Sequence, residues 1–191
     1  NRCVSIEGSS DRDMIIVRAS ESAVKVLAMA ASADSTLMAS MDHVKTLGQI
    51  GFGPATRERG DWSLAQQACV ALNCVPNAGF SSKRTNVNNS MKPIVDDIVT
   101  MISRSSTWKK ESSEDNESQW YGAAQQGIHA IYHLSTRPEE PCESIVKLLS
   151  QQLFGQSKSN NNVQTNVPVD PLARFVFVLG EVAIGQLSHM E

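Results

Sequence analysis

The sequence predicts an all-α fold, a HEAT- or armadillo-like solenoid of antiparallel helix pairs, and three observations predict it. One helical phrase occurs twice. Ala65-Gln66-Gln67-Ala68-Cys69-Val70-Ala71-Leu72 and Ala124-Gln125-Gln126-Gly127-Ile128-His129-Ala130-Ile131 lie 59 positions apart, each introduced by a tryptophan, Trp62 and Trp120. A recurring helix is the mark of a repeat array, in which each unit buries its apolar face by stacking on its neighbours. Apolar residues also recur at intervals of three and four along most of the chain, the period of a helix rather than of a strand. Finally, the chain is 41% hydrophobic but only 5% aromatic, so its core must rest on Leu, Ile, Val, Met and Ala, a mix that suits helices.

Taken in order, the first helix pair covers about residues 13–48. Val24, Leu27, Ala28 and Ala31 give its first member a buried stripe, and Leu37, Met38, Met41, Val44 and Leu47 give the second. Gly48, Gly51 and Gly53-Pro54 are read as its stop, because glycine admits positive φ and proline cannot continue the hydrogen-bond ladder. The next pair spans 61–103. Asp61 stands at an N-cap, Leu64, Ala65, Ala68, Cys69, Leu72 and Val75 share one face, and Pro76 closes the helix. A polar loop, 76–91, leads to Pro93 in a first helical turn, where its missing N–H costs nothing, and Ile94, Val95, Ile98, Val99, Met101 and Ile102 form the stripe that follows.

After a second polar loop, 104–118, comes the pair at 119–154: Trp120, Ala124, Gly127, Ile128, Ile131 and Leu134 in one arc, then Pro141, Ile145, Leu148, Leu149 and Leu153. A third loop, 155–169, is rich in Asn, Gln and Ser. Asp170-Pro171 then caps and starts a helix, 171–191, which opens the next pair through Leu172, Phe175, Val176, Leu179, Val182, Ala183 and Leu187. Phe177 and Ile184 add apolar bulk outside that stripe, so this helix is expected to be flanked on more than one side, as in a fragment of a longer array. The 59-residue period exceeds the about 40–47 residues of HEAT and armadillo units, and the polar loops account for the excess.

Charge and chemistry exclude more than they assign. A net charge of −3 gives no global attraction to nucleic acid or anionic membrane, and no apolar run is read as a membrane span. The four cysteines, Cys3, Cys69, Cys74 and Cys142, form no CxxC pair and suit a reducing compartment. His129 and His133 have the i, i+4 spacing of a zinc helix, but Ala130 stands where a metalloprotease needs its glutamate, and both lie across the wheel from the core arc. Asp96-Asp97 and Glu139-Glu140 are adjacent pairs that diverge on a helix, and Cys69 sits on a core stripe rather than beside a base. No catalytic residue, metal site, cofactor site or small-molecule substrate is therefore assigned. The basic couplets Lys83-Arg84 and Lys109-Lys110 lie in loops, where cations can touch a DNA backbone without reading sequence.

Three blocks, GDWSLAQQACVAL, QWYGAAQQGIHAIYHLSTRPEEPCESIV and DPLARFVFVLGEVAIGQLSHME, resemble the HEAT-repeat, non-SMC subunits of condensin, over about half of the chain. The last block carries the likeness furthest, through its cap, Arg174 and the Leu-Gly-Glu-Val-Ala run. The resemblance implies a scaffold without catalysis, acting in mitotic chromosome condensation with an SMC ATPase pair and a kleisin subunit and helping to hold DNA. It also implies a nuclear and chromosomal protein with a cytoplasmic pool. No partner-contacting residue carries over by motif, and with no Ser-Pro or Thr-Pro dipeptide, no proline-directed phosphosite falls in this segment. A HEAT or armadillo adaptor of another class, a transport or phosphatase scaffold, would share the fold and differ in its groove partner.

Overall fold

The computed structural model describes residues 7–76, 84–103, 114–154 and 169–190, and among them every regular element is helical. Eight α-helices follow in order: α1 (Glu7–Ala33), α2 (Met41–Phe52), α3 (Pro54–Arg59), α4 (Trp62–Leu72), α5 (Arg84–Ser103), α6 (Glu114–Leu134), α7 (Glu139–Phe154) and α8 (Val169–Met190). A 3-10 turn at Ser35–Met38 links α1 to α2, started by the Asp34 carboxylate, which accepts from the Thr36 N–H at 3.0 Å. Local chemistry fixes the sharpest boundary. Gly60 ends α3 at φ 66°, a left-handed conformation that glycine adopts without a Cβ clash. Asp61 then accepts from the Leu64 N–H at 2.9 Å, satisfying one of the free donors of α4's first turn.

Several boundaries differ from the sequence reading, each for a physical reason. Gly48 and Gly51 do not stop α2; they lie inside it, where α2 packs against other helices. An ideal Cβ on Gly48 would come within 3.2 Å of Ile94, and one on Gly51 would collide with Ala68. These glycines bring helices together rather than turn the chain. Gly53-Pro54, read as a turn, starts the short α3, with Pro54 in its first turn. Pro93 falls in the interior of α5, which begins at Arg84, so part of the segment read as the loop 76–91 is helical. An interior proline costs a helix about 3 kcal/mol. Burial of Met91 before it and of Ile94, Val95, Ile98, Met101 and Ile102 after it sets one continuous apolar face against that cost. Likewise α6 begins at Glu114, inside the loop expected at 104–118.

The helices stack in two rows. In the first row α1 packs on α4, α4 on α6 and α6 on α8; in the second, α2 packs on α5 and α5 on α7. The cross-row contacts run chiefly from α2 to α4, α5 to α6 and α7 to α8. Each second-row helix therefore leans on the first-row helix that follows it, whereas the sequence pattern pairs 61–75 with 92–103. Gly127 explains the α5–α6 contact: an ideal Cβ there would lie 3.0 Å from Ile98 and Met101, so its absence lets α5 side chains press onto the α6 backbone. The core between the rows is aliphatic, with Leu64, Leu72, Ile98, Ile102, Ile128, Ile131 and Ile145 all fully buried. The two repeated phrases supply its centre, since Ala65, Ala68, Cys69, Ala124, Ile128 and Ile131 are each at most 1% exposed.

Candidate interaction surfaces

The contact of α6 with α8 is the most polar and aromatic joint among the described residues. Trp120 and Tyr121 sit side by side on α6, their rings edge to face at 5.1 Å, and Phe177 of α8 meets both, at 6.4 and 5.0 Å between centroids. The Arg174 guanidinium lies 4.7 Å over the Trp120 ring, a cation–π contact. One turn on, Gln125 donates to Glu181 at 2.9 Å. Tyr132 then donates to the Val182 carbonyl at 3.0 Å and stands in contact with the Gly185 position, where no Cβ would fit. The narrow polar strip of Arg174 and Glu181 is thus turned toward α6, and the apolar stripe of α8 is turned out.

With that orientation most of the apolar stripe of α8 is exposed among the described residues. Val178 is its one buried residue, while Leu172, Val176, Leu179, Ile184, Leu187 and Met190 are exposed. The helix rests on α6 and α7, with Phe175 against Phe154, but nothing described covers its far side. By length and composition α8 could also cross a bilayer, contrary to the absence of a span read from the sequence; its best window has a mean hydropathy of 1.3 and is 6% buried. At the other end of the row, Ile15, Ile16, Val26 and Met29 of α1 are exposed as well. Large exposed apolar side chains therefore gather on the two end helices of the first row. A patch of that kind marks a contact surface.

A concave feature lies on the second row. A cleft of about 350 Å³ opens between α5, the α6–α7 turn and the start of α7. Val95, Val99, Leu134 and Pro141 are among its apolar lining, and its charges balance, Lys92 and Arg137 against Asp96 and Glu140. Arg137 is already engaged with Glu140 at 2.6 Å. A cleft of balanced charge gives no preference for a phosphate backbone. Sequence reading does not join these residues, because they come from three elements and their charges look like ordinary solvated surface.

The residues singled out for chemistry do not converge. His133 meets the Val75 carbonyl at 2.6 Å, tying α6 to the end of α4, while His129 faces Glu181 of α8 at 3.7 Å. The two imidazoles thus serve different neighbours instead of one metal, and no group of three metal-ligating side chains occurs among the described residues. Asp97 pairs with Arg57 of α3 at 2.6 Å, and Asp96 lines the cleft. Burial holds the Cys69 thiol far above its ordinary pKa, the reverse of what a nucleophile needs, and pushes Cys142 up to about 11. Of the basic couplets, Arg84 is the first residue of α5; Lys83, Lys109 and Lys110 lie outside the described residues.

Comparison with known proteins gives one consistent answer. Condensin complex subunit 1 of Schizosaccharomyces pombe is 30% identical over 176 residues, a stretch that includes 81% of this chain and 14% of the yeast protein. Over most of its length the chain is similar to condensin complex subunit 1. Condensin-1 complex subunit CAP-D2 of Arabidopsis thaliana is 24% identical over 99% of the chain, and condensin complex subunit 1 of Xenopus laevis is 24% identical over 79%. The chain spans 11–14% of the length of these condensin relatives. No family model matches the sequence, and no solved structure matches it. The condensin likeness covers both copies of the repeated phrase in the plant alignment, which extends over nearly the whole chain.

Proposed function

We propose that this chain is a non-catalytic scaffold segment of a condensin complex, part of a HEAT-type array that binds an SMC ATPase pair and a kleisin subunit. The observation that carries this reading is the likeness to condensin subunit 1 across most of the chain. Two features support it. The helices stack in two rows with exposed apolar residues at the row's ends, as suits a unit stabilised by its neighbours. Several polar and ionisable groups, in addition, are held in joints between helices: Arg57 with Asp97, Gln125 with Glu181, His133 with the Val75 carbonyl. A side chain held in such a joint is committed to architecture and not to a substrate. In this role the protein works in mitotic chromosome condensation, in the nucleus and on chromosomes, with a cytoplasmic pool.

Depletion of the protein in its own cells tests the reading. Mitotic chromosomes that remain fully compacted and segregate normally after depletion would count against it; loss of compaction, restored by the intact protein, supports it. DNA contact is proposed at Lys83, Arg84, Lys109 and Lys110, as backbone charges that position the complex. Removing one phosphate-binding cation lowers the slope of log affinity against log salt by about 0.9. Reversing all four charges should therefore flatten that slope in the assembled complex, and an unchanged slope removes the assignment.

A further inference from the structure

Among the described residues three hydroxyls stand three positions before a carboxylate: Ser10 before Asp13, Thr136 before Glu139 and Ser188 before Glu191. Ser10 and Ser188 lie within α1 and α8, and the Ser188 hydroxyl donates to the Ile184 carbonyl of its own helix at 3.1 Å. The hydroxyls of Ser20, Ser32, Thr100 and Ser144 are tied to their helices in the same way. Thr136 is placed differently. It is exposed in the non-helical turn between α6 and α7, where the Ser135 hydroxyl accepts from the Arg137 N–H at 3.2 Å and that of Thr136 makes no hydrogen bond among the described residues. An exposed turn can enter an enzyme's groove without a helix being unwound. The charge that follows is of one sign. Glu139, Glu140 and Glu143, all exposed, come three, four and seven positions after Thr136, and the intervening Arg137 is paired with Glu140 at 2.6 Å.

We propose that Thr136 is a phosphorylation site for an acid-directed Ser/Thr kinase, one whose substrate groove is lined with cations, and that its phosphate turns the neighbouring cleft acidic. In the transfer the Thr136 Oγ1 bonds to the γ-phosphorus of ATP as the bond from that phosphorus to the bridging oxygen breaks. ADP leaves, and the hydroxyl proton passes to the kinase's catalytic carboxylate. Glu139, Glu140 and Glu143 supply the recognition, opposite in sign to the groove. Thr136 also lines the cleft between α5 and α7, in which Lys92 and Arg137 balance Asp96 and Glu140. A phosphate adds about −1.5 to −2 charges at neutral pH, so the balance is lost. The Arg137–Glu140 pair, with side chains 72% and 63% exposed, is weakly held, and a phosphate competes for that guanidinium. The proposal goes beyond the scaffold reading and stands independently of it.

A kinase assay on the full-length gene product tests it. The protein is incubated with ATP and casein kinase II, an acid-directed kinase, with casein as the control substrate, and phosphate is located by peptide mapping and mass spectrometry. Phosphate is expected on Thr136 and not on Ser135. Transfer to Thr136 should slow about tenfold when Glu139→Gln and Glu140→Gln are combined, because the carboxylates that bind the groove are gone. An unmodified Thr136 beside phosphorylated casein overturns the proposal, and so does a rate that the two substitutions leave unchanged. Protein isolated from its own cells with phosphatases inhibited should carry the same phosphate; its absence in interphase and mitosis alike also overturns the proposal. The charge step has its own readout in Ser144→Cys, on the wall of the same cleft. Phosphorylation of Thr136 should slow alkylation of that thiol by iodoacetamide severalfold at a pH of about 8, since a nearby dianion disfavours the thiolate. An unchanged rate refutes the claim that the phosphate acts on the cleft.

Discussion

Replacing Trp120 with Ala should remove more stability than any surface change in the chain. The side chain is 1% exposed and lies at the α6–α8 joint, beside Tyr121 and Phe177 and under Arg174. Truncating a fully buried Trp costs about 3–5 kcal/mol through lost transfer energy and the cavity left behind. The aromatic pairs contribute about 0.5–1.5 kcal/mol beyond their area, and the half-exposed Arg174 contact about 0.5–1 kcal/mol. The parts are not additive, so an overall loss of about 3–5 kcal/mol is expected. A double-mutant cycle isolates the cation–π part. Arg174→Ala should cost about 0.5–1 kcal/mol less in the Trp120→Ala background than in the native one. Urea unfolding followed by far-UV circular dichroism gives both quantities. A loss below about 1 kcal/mol for Trp120→Ala, or full additivity with Arg174→Ala, would refute the placement of α8 on α6.

Gly51→Ala should destabilise the chain by about 1–3 kcal/mol in the same assay, because the new methyl has to displace Ala68 in the α2–α4 contact. Asp61→Ala removes the α4 cap and should cost about 1 kcal/mol, with Asp61→Asn largely restoring it. At alkaline pH, stability should be level up to about 9 and fall between about 9 and about 11: Cys142 titrates near 9.0 when unfolded and about 11 when folded, so over that window the unfolded chain loses a proton that the folded one keeps. Cys69 is raised in the same direction by burial and adds to the decline, and Cys142→Ala should reduce its slope. For the same reason a thiol reagent at a pH of about 8 should modify Cys69 and Cys142 at the rate of unfolding and not faster.

The helices and their core are largely legible in the sequence, because apolar spacing is a direct record of which face is buried. That spacing assigns Ala65, Ala68, Cys69, Ile98, Ile128 and Ile131 to the interior, and they are there. Several misread boundaries share one cause, the treatment of glycine and proline as punctuation. Gly48 and Gly51 act instead through a neighbour, and Pro93 is carried by the burial of residues on both sides of it, neither of which local sequence records. On α8 the periodicity is right and the inferred orientation is not. An apolar stripe tells that a face is to be covered, but only the aromatic and polar contacts of Arg174, Phe177 and Glu181 decide which face meets α6. Nor can spacing find the cleft of Lys92, Asp96, Arg137 and Glu140, whose residues are brought together by packing across elements.

The central claim, that this chain serves in condensin, is tested most directly by purifying the intact protein from its own cells under native conditions and weighing what comes with it. The account predicts an SMC pair and a kleisin subunit in equimolar amounts, retained at a salt concentration that strips DNA from the complex. Recovery of the protein without SMC and kleisin subunits, or in stoichiometric assembly with a transport or phosphatase partner instead, would contradict it.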